Sequence, residues 1–143
     1  MDPNDTTYYK YHSVNDTLIT SIFRYGHLNK VEKVISVGGL KVNISENYLF
    51  GHIREREIKY QWPDSTKNTK NTFNDKGKIT SYYYTFSNNL KILKKNNDLF
   101  GKSIHITNIK TFYDKRKNWI KKEYYTDEKL TYIILRKIEY FED

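Results

Sequence analysis

The chain has 143 residues and a formal net charge of +8, with no cysteine and no alanine, so disulfide frameworks and cysteine metal sites are excluded. Leu, Ile, Val and Phe supply 36 residues, enough to fold a chain of this size and to bury roughly two thirds of its unfolded surface, while no apolar run approaches the roughly 18 residues of a membrane-spanning helix. Ile, Val and Thr number 33 and the aromatics 23. The expected fold is therefore all-β: one domain, residues 1–143, of about ten antiparallel strands in a meander of hairpins, open or partly closed.

Residues 1–46 read as N-terminal hairpins. Segments 8–12 and 18–25 are strand-like and flank the turn cluster Ser13-Val14-Asn15-Asp16, and segments 31–37 and 40–44 flank Gly38-Gly39, a two-residue hairpin signal. Leu40, Val42 and Ile44 alternate with Lys41 and Asn43, the pattern of a strand with one apolar and one wet face. Residues 47–143 read as duplicated hairpin units. Asn47-Tyr48-Leu49-Phe50-Gly51 recurs as Asn97-Asp98-Leu99-Phe100-Gly101, and strand-like segments 53–62 and 103–113 follow the two copies. A second echo aligns Phe73-Asn74-Asp75-Lys76-Gly77-Lys78-Ile79 without gaps on Tyr113-Asp114-Lys115-Arg116-Lys117-Asn118-Trp119. Both read as Asx-capped turns that feed strands over 80–86 and 120–125. A last strand is expected over 130–141. The basic residues Lys67, Lys70, Lys76, Lys78, Lys91, Lys94, Lys95, Lys115, Lys117, Lys121 and Lys122 are expected at turns or strand edges, where charge discourages edge-to-edge aggregation.

The segment from Tyr113 to Lys122, followed by Tyr124 and the terminal Arg136-Lys137-Ile138-Glu139-Tyr140-Phe141, resembles the tyrosine-aspartate (YD, RHS-like) β-hairpin repeats in the form found in small exported proteins of the Bacteroidetes. The resemblance covers about residues 112–141. That family's turn reads Tyr-Asp-x-x-Gly-Asn-Trp, and here Lys117 stands in place of the glycine, a departure that costs about 1 kcal/mol if φ stays positive, or else widens the turn. The resemblance implies hairpins, and association with exported proteins and toxin systems.

Chemistry-bearing patterns are sparse. His12, His27, His52 and His105 form no metal-ligand spacing, and no metal or other cofactor is expected. His52 and His105 both follow the repeated Phe-Gly element, which would bring them together if the copies stack; the plainer reading is two strand histidines. Gly38-Gly39 lacks the features of a phosphate loop, and no serine sits in a nucleophile-elbow context, so no enzyme activity is expected. Strand alternation puts Tyr82, Tyr84 and Phe86 on one face and Tyr83 on the other, and groups Ile58, Tyr60 and Trp62 with Arg54 and Arg56. Arginine beside exposed Tyr and Trp is interface hot-spot chemistry. The candidate partner-binding set is Arg54, Arg56, Tyr60, Trp62, Tyr83, Tyr113 and Trp119. The competing reading makes Trp62 core, pairs the arginines with Glu55 or Glu57, and uses Trp119 to staple a hairpin.

These observations point to a non-catalytic protein-binding module: an immunity or inhibitor protein that neutralises a cognate bacterial toxin, or an envelope accessory protein. The basic charge argues against a nuclease target, whose inhibitors mimic nucleic acid and are acidic. One alternative is a basic β protein that binds single-stranded nucleic acid, since Lys and Arg are interleaved with Tyr and Phe. The other is a small-ligand β-barrel. An envelope or periplasmic location is expected if a signal peptide precedes this segment, and a cytoplasmic one if the chain is complete.

Overall fold

The computed structural model describes residues 6–142, and its strands form one continuous antiparallel sheet. Its strands are β1 (Thr7–Val14), β2 (Thr17–Arg24), β3 (His27–Val37), β4 (Leu40–Leu49), β5 (His52–Gln61), β6 (Ser65–Phe73), β7 (Ile79–Asn88), β8 (Lys91–Asp98), β9 (Gly101–Tyr113), β10 (Trp119–Thr126) and β11 (Lys129–Leu135). They lie side by side in chain order, each paired with the next. The sheet does not close: β1 and β11 are its two edges, so there is no barrel lumen for a small ligand.

Turn chemistry sets this register. Tyr25-Gly26, Phe50-Gly51 and Asp127-Glu128 are two-residue loops with both φ angles positive, the backbone that matches the twist of an antiparallel pair. Gly38, at φ 58, opens the loop that pairs Val37 with Leu40, as the Gly-Gly signal predicts. The copies around Phe50 and Phe100 both form hairpin tips, but in frames one residue apart: Leu49 pairs with His52, whereas Asp98 pairs with Gly101. Both loops have two residues; the Asp98 carboxylate accepts a 2.8 Å hydrogen bond from the Phe100 N–H and holds the earlier frame, whereas Tyr48, its counterpart in the first copy, carries no such acceptor.

The second echo is reproduced bond for bond. Asn74 Oδ1 accepts from the N–H groups of Lys76 and Lys78, both at 3.0 Å, and Asp114 Oδ1 accepts from those of Arg116 and Asn118 at 2.8 and 2.9 Å. The fifth position is left-handed in both, Gly77 at φ 74 and Lys117 at φ 64. The lysine therefore keeps the turn's geometry rather than widening it. Lys117→Gly is expected to raise the unfolding free energy by about 1 kcal/mol and Gly77→Lys to lower it by a similar amount, read from urea midpoints. Equal midpoints for Lys117→Gly and the parent chain would show that the turn carries no such strain.

One strand is new and two expectations are corrected. β6, Ser-Thr-Lys-Asn-Thr-Lys-Asn-Thr-Phe, is a full strand that apolar periodicity does not reveal. Lys67, Lys70, Lys94, Lys95, Lys121 and Lys122 lie within strands rather than at turns or edges. The last strand ends at Leu135 instead of running to 141; the Arg136 N–H still donates to the Ile120 carbonyl at 2.9 Å, and the chain beyond it returns to the β9–β10 turn, where Asn118 Nδ2 donates to the Tyr140 hydroxyl at 2.7 Å.

The largest departure concerns burial. Among the described residues no apolar side chain is buried, and Glu46, 7% exposed, is the one buried polar residue. The protein exposes 11083 Å², against about 7,800 Å² for a compact protein of 17.3 kDa. It therefore buries about 56% of the unfolded surface instead of two thirds. A one-layer sheet has no opposing layer to enclose its side chains.

Candidate functional site

Directly paired residues share a face, so the register sorts the side chains. One row runs across nine strands: Val14, Thr17, Ile35, Val42, Tyr60, Lys67, Phe86, Leu93 and Ile106. Beside it runs His12, Ile19, Lys33, Ile44, Ile58, Thr69, Tyr84, Lys95 and Ile104. Apolar and aromatic residues thus concentrate on one face, interrupted by lysines. The opposite face is polar over its centre, with Asn43 and Ser45 of β4 beside Glu57 and Lys59 of β5 and Asn68 and Lys70 of β6.

The interrupting lysines lie among the rings. Lys67 Nζ is 5.2 Å from the Tyr60 ring centre and 5.7 Å from that of Tyr84, and Lys95 Nζ is 5.8 Å from the Tyr84 ring. Tyr60 lies nearly parallel to Trp62 at 5.9 Å, and Tyr82 to Tyr84 at 6.5 Å. Cations over ring faces add modest attraction and make this apolar face electropositive. Next to them Tyr82, Lys95, Asn97, Lys102 and Ile104 line a shallow hollow of about 210 Å³, wide enough for one carboxylate-bearing side chain. Lys67, Lys95 and Lys102 make no ion pair among the described residues. Outside the face, the hairpin tips at one end of the sheet hold Phe50, Leu99 and Phe100 almost fully exposed.

The third row of this face carries a clamp. Arg56 donates from Nε at 3.0 Å and from Nη2 at 2.8 Å to Glu46 Oε2, while Lys33 Nζ stands 4.0 Å from the other carboxylate oxygen. Arg54 pairs with Asp75 in the next turn. Neither arginine takes Glu55 or Glu57. Alternation turns those two acids to the opposite face, where Glu55 meets Lys70 at 3.0 Å and Glu57 accepts from Asn68 at 2.8 Å.

Six of the seven candidate residues divide between two faces, and Arg54 ties β5 to the β6–β7 turn through Asp75. Arg56, Tyr60 and Trp62 share the apolar face, Trp62 half-buried against Tyr60. Tyr83 projects from the other face, as do Tyr113 and Trp119, which pair across β9 and β10. Lys122 and Arg136 lie 4.9 and 5.0 Å from the Trp119 ring, so Trp119 staples the C-terminal hairpin. His52 and His105 lie on β5 and β9, four strands apart. His105 Nδ1 is 3.6 Å from Asp127 Oδ2, beyond hydrogen-bond range, and both are more than half exposed.

Tyr140 fastens the returning tail by donating to Asp114 Oδ2, with the Arg116 guanidinium 4.1 Å from its ring centre. That hydroxyl is the main reason the Asp114 carboxyl lies below its ordinary range, helped by the turn's N–H donors, and the same bond holds the Tyr140 phenol above 10.0. The signs set a window. A lowered carboxyl stabilises the docked tail above its ordinary range and is lost as pH falls through the lowered value; a raised phenol is lost as pH climbs through its own. Tyr140→Phe is expected to return the Asp114 titration toward normal in a carboxyl-detected NMR experiment. An unchanged Asp114 titration would separate the tail from the turn.

Sequence reasoning missed Glu46, Lys67 and Lys95. The signal for Glu46 was present: positions 40, 42 and 44 are apolar and the next inward slot holds an acid. For Lys67 it was the run between Pro63 and Asn74, with threonine at every third position from 66 to 72 and no glycine or proline inside. Among the described residues no group of three or more His, Cys, Asp or Glu is gathered to hold a metal, and no helix is long and apolar enough to cross a membrane. The fold and its uncovered face define a class, a single-layer antiparallel β-meander with one electropositive apolar face. No protein family, curated protein or solved structure matches the chain.

Proposed function

We propose that this chain is a non-catalytic protein-binding module whose binding surface is the apolar face of β3–β9. The observation that carries the reading is the missing core: no apolar side chain is buried among the described residues, and the exposed area exceeds that of a compact protein by about 3,300 Å². A standard protein interface covers about 800 Å² on each partner, so this face has room for one larger than standard. The unpaired Lys67, Lys95 and Lys102 favour an acidic protein surface, with the hollow beside Tyr82 as the seat of a carboxylate. Within that class we propose an immunity or inhibitor protein acting on a cognate toxin, or an envelope accessory protein. A net charge of +8 turns the choice of target away from nucleases.

The test is capture from the native organism with three baits: the parent chain, a Tyr84→Ser/Leu93→Ser variant of the apolar face, and a Tyr83→Ser variant of the opposite face. The expected result is one protein retained through a high-salt wash by the parent and by Tyr83→Ser and lost by the double variant. Retention by all three would overturn the assignment of the face. The lysines lodged among Tyr60 and Tyr84 support a second reading, single-stranded nucleic-acid binding. Nucleic acid that leaves in the high-salt wash, with no protein retained, would favour it.

A further inference from the structure

We infer that β11 is a self-complementary edge through which two copies of this chain pair, antiparallel, about a two-fold axis at Tyr132. Each edge of an open sheet leaves alternate backbone N–H and C=O groups unpaired, and proteins ordinarily guard such edges with charge. β1 is guarded in this way: Lys10 lies at its centre, beside His12. β11 is not. Its one charged residue, Lys129, is its first, and from Tyr132 to Leu135 it is apolar or aromatic on both faces. All of it is exposed, Leu135 at 75%. A strand apolar on both faces belongs inside a sheet rather than at its margin.

The charges that flank β11 identify the occupant. Asp127 and Glu128 precede it and Arg136 and Lys137 follow it, Lys137 standing 3.0 Å from Glu139, so with Lys129 counted the segment runs from a net acidic start through an apolar middle to a net basic end. An antiparallel copy centred on Tyr132 brings the acidic end of each chain alongside the basic end of the other, at both ends of the pair. The bulge at Thr131 shifts the register by at most one residue and preserves this match. Thr131 does not obstruct the edge either, because its hydroxyl turns inward and donates to the Tyr124 carbonyl at 2.8 Å. Parallel stacking would set acid against acid and base against base. The two-fold also continues the antiparallel order of the whole sheet and keeps both apolar faces on the same side, so the pair presents a doubled binding face.

The experiment is sedimentation equilibrium on the full chain from micromolar to submillimolar concentration, with two charge-reversed variants. Asp127→Lys/Glu128→Lys makes both ends of β11 basic, and Arg136→Glu/Lys137→Glu makes both acidic. The parent is expected to reach twice the monomer mass. Each variant alone is expected to dimerise at least about tenfold more weakly, and an equimolar mixture of the two to recover a heterodimer. Far-UV circular dichroism of each variant checks that the sheet is intact. A parent that stays monomeric throughout overturns the proposal. So does a mixture that associates no better than its components, provided both variants are folded. Ile134→Lys, which leaves the flanking charges in place, is expected to abolish the dimer, and a parent-like dimer in that variant would move the contact to another edge.

Discussion

Arg56→Ala is expected to cost about 2 kcal/mol of unfolding free energy, more than any single apolar truncation on the same face. Glu46 is the one buried polar residue among the described residues, with its side chain 9% exposed, and Arg56 gives one of its carboxylate oxygens two short hydrogen bonds. Removing the arginine leaves a largely desolvated charge whose nearest remaining cation is Lys33, at 4.0 Å. A fully enclosed pair broken in this way loses about 3–5 kcal/mol; here Arg56 is 43% exposed, and water can reach part of the vacated site. Ile44→Ala, by contrast, is expected to cost about 1 kcal/mol, because its side chain is only half-buried and its loss opens no enclosed cavity. That inverts the usual order of core and polar effects. Glu46→Leu combined with Arg56→Met is expected to return most of the lost stability, since replacing both partners leaves no orphaned charge. Urea unfolding of the three variants checks the order, and a larger loss for Ile44→Ala than for Arg56→Ala would mean that the apolar face is covered in solution.

Period and turn chemistry made most of the hairpins legible. The Gly38-Gly39 loop, the Asn74 and Asp114 turns and the alternation of Leu40, Val42 and Ile44 are local signals, and each appears where the residues indicate. β6 was not legible by the same means. Its side chains are Thr, Asn and Lys, which carry no apolar period, and its strand conformation comes from lying between β5 and β7. The tail beyond Leu135 failed for the opposite reason. Its apolar and charged residues alternate like a strand, but no neighbouring strand remains to pair with, and Tyr140 finds Asp114 instead. The two faces of the candidate site follow from alternation alone, which separates Tyr83 from Tyr82 and Tyr84. What alternation cannot supply is whether a second layer covers a face. The sequence therefore led to an expected core, and to salt bridges from Arg56 to its chain neighbours rather than to Glu46 across the sheet.

The missing layer has a calorimetric signature. Unfolding a compact domain of 143 residues raises the heat capacity by about 1.9 kcal/mol/K, mostly from newly exposed apolar surface. This protein already exposes that surface when folded, and burying about 56% of its unfolded area instead of about 69% lowers the expected increment to about 1.5 kcal/mol/K or less. Differential scanning calorimetry at several pH values measures it, within the window in which both Asp114 and Tyr140 keep the tail docked. A value near 1.9 kcal/mol/K would mean that the apolar face is covered in solution without any partner. Pairing through β11 does not raise the increment far, because an edge contact joins backbones side by side and leaves the faces open. Binding of a protein across β3–β9 does, and its own heat-capacity change should be negative and scale with the apolar area covered. Heat capacity and sedimentation thus respond to different surfaces: charge reversal beside β11 alters the mass and spares the increment, whereas Tyr84→Ser/Leu93→Ser removes the binding heat-capacity change and spares the mass.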